Sequence, residues 1–93
     1  MTEQNDQQRI TWDKTTEEKF LKILEDIPDM IRGIAEARVC RKAGDIVRAQ
    51  NRQVIGEKDM VDAFFAETPG GFIPLMKNSM KAIGLDYTQY GHA

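Results

Sequence analysis

Ninety-three residues make one domain's worth of chain, and folding at that size buries roughly 60–65% of the unfolded surface, a thin core. Charged residues make up 30% of the chain and its net charge is −2, which argues against general nucleic-acid binding, where positive excess supplies most of the affinity. One cysteine (Cys40) and one histidine (His92) exclude an intramolecular disulfide, a four-ligand structural zinc site and a cluster held by four cysteines.

The first ten residues, MTEQNDQQRI, are polar and aperiodic. They contain no apolar core of a signal peptide, and residues 1–11 read as a flexible tail. Trp12 stands where order should begin, ready to fold over the start of the first helix. Thr15 and Glu18 fit a capping box for that helix, expected over 16–26 with Phe20, Leu21, Ile23, Leu24 and Ile27 on its apolar side. Pro28 ends it and opens the next, because proline disfavours helical geometry in the residue before it and suits a helix's first turn.

The second helix is the longest, expected over 29–51. Ile31, Ala35, Val39, Ala43 and Val47 recur every four residues, flanked by Ile34 and Ile46. Gly33 and Gly44 inside it each cost up to ~1 kcal/mol relative to alanine, a cost most easily explained by close helix crossings. Residues 29–52 also hold six basic side chains (Arg32, Arg38, Arg41, Lys42, Arg48, Arg52) against three acidic ones. Such a face suits an acidic partner, or is simply solvated and balanced by acidic neighbours.

Asn51 is a stop signal, Val54-Ile55 a short extended stretch, and Gly56 with Asp59 the start of a third helix over 57–67. Thr68-Pro69-Gly70-Gly71 breaks the chain. A fourth helix, over 72–83, presents Phe72, Ile73, Met76, Met80 and Ile83, and Gly84 caps it. The last nine residues either dock through Tyr87 and Tyr90 or fray, and His92 is expected to be mobile. The fold expected is all-α: about four helices around one long central helix.

No catalytic residues, metal ligands or cofactor-binding residues can be assembled from this inventory, so none is expected. Cys40 reads as a small buried hydrophobe. Pro69-Gly70-Gly71 precedes a helix but lacks a following GK[ST], so it reads as a reorienting loop rather than a phosphate cradle. Phe64, Phe65, Phe72, Met76 and Met80 could line a pocket between the third and fourth helices that binds an apolar or planar ligand. The lone cysteine suggests a cytoplasmic protein, and no apolar run approaches the ~18 residues of a membrane span.

From Trp12 to Phe65 the chain resembles a known module, the small C-terminal PCP reductase domain of the light-independent protochlorophyllide reductase B subunit. The resemblance rests on Trp12, the acidic helix start Thr15 to Glu18, Ile27-Pro28, Ile31-Arg32-Gly33, Ala37 and the stretch Val54-Ile55-Gly56-Glu57-Lys58-Asp59-Met60. Residues 12–67 would then form a three-helix module and 68–93 a helical extension outside it. Between Gly33 and Met60 the chain is about one turn longer than the module.

The resemblance implies a helical accessory domain that contacts a larger redox complex, without that complex's catalysis. Arg32, Arg38 and Arg41 are the candidate partner contacts, while Trp12, Pro28, Gly33 and Gly56 are structural. Arg32 could instead pair with Asp29 or pack its stem over Trp12. A weaker similarity, over Arg52 to Ala63 and in the short–long–short helix order, is to histone folds. It implies a homodimer crossing at Gly33 or Gly44, with DNA association as an alternative role.

Overall fold

The computed structural model describes residues 9–93. Most of the expected tail, residues 1–8, lies outside the described residues. The remainder is fixed: Ile10 packs on the core, and Thr11–Trp12 (β1) pairs in parallel with Val54–Ile55 (β2). Thr11 N–H donates to the Gln53 carbonyl and Asp13 N–H to that of Ile55, both at 2.9 Å. Order therefore begins before Trp12.

That pairing also decides how the first helix starts. Helix α1 spans Lys14–Glu25, and its cap is Asp13 rather than Thr15. The Asp13 carboxylate accepts from Thr16 N–H at 3.0 Å and from the Thr16 hydroxyl at 2.9 Å. The Asp13 N–H is already bonded to Ile55, so the returning carboxylate of a capping box has nothing left to satisfy. Phe20, Ile23 and Leu24 are buried, whereas Leu21, expected among them, is 51% exposed. Trp12 stacks on Phe20 with ring centroids 4.6 Å apart, and Phe20 meets Phe64 at 5.7 Å.

Pro28 caps helix α2, Asp29–Ala49. It ends two residues short of the expected 51 because Asn51 takes the left-handed conformation, φ 58°. Arg52 N–H then reaches the Val47 carbonyl and Asn51 N–H that of Arg48, a Schellman closure with asparagine at the position glycine usually fills. Helix α3, Glu57–Glu67, has the expected bounds. Asp59, 4% exposed, accepts from Gly56 N–H at 2.9 Å and from Arg52 through both oxygens, which anchors the α2–α3 loop.

A 3-10 turn, Gly70–Phe72, leads into helix α4, Ile73–Ala82. Leu85 N–H returns to Met80 and Gly84 N–H to Lys81, with Gly84 at φ 77°, so the expected glycine cap is a second Schellman closure. Ser79 donates to Asp26 Oδ2 at 2.7 Å and ties α4 to the end of α1. Phe20, Ile23, Val39, Val47, Met60, Phe64 and Met80 are the centre of one buried cluster shared by all four helices. The fold is a small all-α bundle with one long helix. Among the described residues no helix is long and apolar enough to cross a membrane.

Candidate docking site

The four-residue stripe of α2 has two parts. Val39, Ala43 and Val47 are at most 2% exposed, beneath α1 and α3. One turn earlier Ile31 and Ala35 are only half-buried, and Ile34 is 58% exposed. Above this first part lies a cavity of about 270 Å³. Ile23 of α1, Ile27 of the turn after it, Ile31, Ala35 and Arg38 of α2, Phe64 and Glu67 of α3, and Met76 and Ser79 of α4 line it. Ile34, Phe72 and Leu75 form an apolar rim, 38–58% exposed.

The ligand pocket expected between the third and fourth helices is therefore displaced. Phe64, Phe72 and Met76 do line the cavity. Met80 is fully buried in the core instead, and Phe65 faces Tyr87 and His92 on another side of α3.

The three candidate arginines have separate surroundings. Arg32 is committed within the chain. Its Nε donates to the Leu24 carbonyl and Nη2 to that of Ile27, both at 2.8 Å, and Nη1 pairs with Asp29 at 2.8 Å. It thus joins the Ile27 N–H on the Leu24 carbonyl, gives the Ile27 carbonyl just beyond α1 a donor, and locks the Pro28 corner. Arg38 and Arg41 are exposed, one turn apart, and without a hydrogen bond or ion pair among the described residues. Of the other cations in this stretch, Arg48 pairs with Asp45 and Arg52 with Asp59.

Among the described residues no helix makes the close crossing expected at Gly33 or Gly44. A Cβ on Gly33 would meet nothing within 4 Å, and one on Gly44 would meet only the Arg48 guanidinium. Cys40 is half-buried, and burial, with Glu36 and Glu17 nearby, pushes its thiol up, away from nucleophilic character. Gly56 serves as the cap of α3, as read from the sequence.

A second polar group lies on α3 and was not foreseen. The Tyr90 hydroxyl donates to Glu57 Oε2 at 2.6 Å, while Lys19 holds Oε1 of the same carboxylate. His92, expected to be mobile, donates from Nε2 to Asp62 at 2.7 Å and stacks on Phe65 at 4.1 Å. Burial pushes both carboxyls up, but hydrogen bonds from Lys19 and Tyr90 to Glu57, and from Lys58 and His92 to Asp62, outweigh it and hold both below their usual values. Burial and the Glu57 bond push the Tyr90 hydroxyl up to about 12. These groups bond one another, fastening residues 87–92 across α3 as a strap. Only the tyrosines hinted at it in the sequence.

Among the described residues no cluster of three His, Cys, Asp or Glu side chains could hold a metal. Fold and site together define a class: a small helical domain whose longest helix leaves an apolar groove uncovered. Comparison with family models, curated proteins and solved structures finds no match to this chain.

Proposed function

We propose that this chain is a non-catalytic accessory domain that docks onto a larger subunit of a redox assembly, the role implied by its resemblance to the PCP reductase domain. One observation carries the docking part: Ile34, Phe72 and Leu75 stand exposed around an apolar cavity in a domain with little core to spare. Exposed apolar surface gathered in one place, rather than scattered, marks an interaction site. The redox partner rests on the sequence resemblance alone.

The test uses the nitrogenase-like subunits of light-independent protochlorophyllide reductase, with the B subunit truncated before its own C-terminal module. The purified chain is expected to co-elute with them in size-exclusion chromatography, and Ile34→Glu to abolish co-elution. A chain that elutes alone would reject the redox partner.

A second reading, a small apolar-ligand binder, is favoured by the cavity's largely apolar lining, although its volume falls below the roughly 300–1,000 Å³ usual for ligand sites. It predicts a raised unfolding temperature with a porphyrin, flavin or acyl-CoA, and no shift across that panel would remove it. DNA association has less support. Arg38, Arg41 and Lys42 are the cations of residues 29–52 without a partner among the described residues, against the roughly 6–10 phosphate contacts of a typical DNA-binding protein.

A further inference from the structure

The groove's walls carry information about its occupant. Arg38 lines it on α2, with Arg41 one turn beyond, both exposed and unpaired among the described residues in a chain whose net charge is −2. A concentrated positive edge on an acidic molecule selects partners by charge. Glu67 also lines the groove, at the end of α3, so the positive preference belongs to the α2 wall only.

Shape narrows the choice further. Most lining residues belong to helices and none to a strand with main-chain groups to share, so strand addition has no edge to use here. From Ile31 to Arg38 the α2 wall runs seven residues, about 10 Å, which matches two turns of a docked helix. The cavity holds one or two bulky side chains rather than a whole drug-sized ligand. A second copy of this chain would need a protruding apolar ridge. Among the described residues outside the groove, however, the exposed large apolar side chains are Leu21, Met30 and Val54, on three different elements.

We infer that the groove receives an amphipathic helix of a partner protein, with apolar anchors at i, i+4 and i+7 and acidic residues along the flank that faces Arg38 and Arg41. This deepens the docking role above but does not depend on which assembly supplies the helix.

A display library of randomised helical peptides, selected on the intact chain, provides the test. Enriched sequences should carry the apolar triplet and Asp or Glu on one flank. Ile34→Glu should abolish their binding, and Arg38→Glu should weaken it by about tenfold or more, as expected for an interfacial charge pair. Swapping the peptide's acidic residues for lysine should restore binding to Arg38→Glu, which a merely unfolded variant could not do. The inference is overturned by no enrichment, by enriched peptides neutral or basic on both flanks, or by binding indifferent to Ile34→Glu. Sedimentation showing a dimer that Ile34→Glu dissociates would assign the groove to a second copy and overturn it as well. Loss of co-elution with the reductase subunits, with acidic peptides still bound, would reject the redox partner and leave the acidic helix standing.

Discussion

From Val39 to Val47 the long helix is sealed beneath α1 and α3, whereas from Ile31 to Arg38 the same four-residue spacing borders an open groove. The periodicity is continuous across both parts, so periodicity alone did not decide burial. The neighbours did. The second part lies under α3, which packs against this helix more extensively than any other element, while the first part faces the end of α1 and the start of α4, where the Thr68–Gly71 break turns the chain away. Apolar spacing records which face of a helix avoids water; it does not say whether the cover belongs to the same molecule.

Substitutions can break this contrast, beginning with the largest effect. Val47→Ala should cost about 2 kcal/mol in denaturant unfolding, because a fully buried side chain leaves a cavity behind. A cost near zero would mean that the sealed part is not sealed. Arg32→Ala should cost about 1.5 kcal/mol, since the Ile27 carbonyl loses its donor and the Leu24 carbonyl loses a charged one, and Arg32→Lys should recover little because an ammonium lacks the fork that spans both. Full stability in Arg32→Ala would return this residue to the list of partner contacts.

Gly33→Ala should stabilise the isolated chain by up to ~1 kcal/mol, as alanine favours a helix and its methyl group meets nothing. Destabilisation would instead indicate a crossing helix at that point. Ile34→Ala should shift stability by no more than about 0.5 kcal/mol, the range of an ordinary surface substitution.

The strap responds to pH and acts locally. Glu57 and Asp62 sit below their usual values in the folded chain, so their stabilising contribution is present above about pH 4 and is lost as pH falls through their folded values. Tyr90 is raised, so its contribution holds below about pH 10 and disappears as pH climbs towards about 12. The protection of the amides of residues 87–92, relative to an unfolded chain at the same pH, should therefore be greatest between those limits. Uniform protection at pH 3 and pH 7 would contradict the strap's ionic fastening.

Much of the fold was legible because its signals are local. Pro28, Asn51, Asp59 and Gly84 act on the backbone within a turn of themselves, and α3 and the glycine cap of α4 stand where the sequence placed them. The misreadings share a cause too. Asp13 displaced Thr15 as the cap because β2, some forty residues away, fixes it. Arg32 does pair with Asp29, as one reading of the sequence had it, but the corner it closes depends on carbonyls, which no residue-type pattern reveals. His92 is held by Asp62 and Phe65, whose arrangement exists only once the chain has doubled back over α3. Of the docking site, the sequence supplied Arg38, Arg41 and the apolar stripe, but not the gap in its cover.

The most direct measurement joins stability and binding in a single variant. Ile34→Glu should melt within about 4 °C of the parent chain, as a surface substitution does, while losing the reductase subunits and the acidic helical peptides alike. A melting temperature lowered by many degrees would show that Ile34 belongs to the chain's own core, and retained binding would show that the groove is not where partners dock.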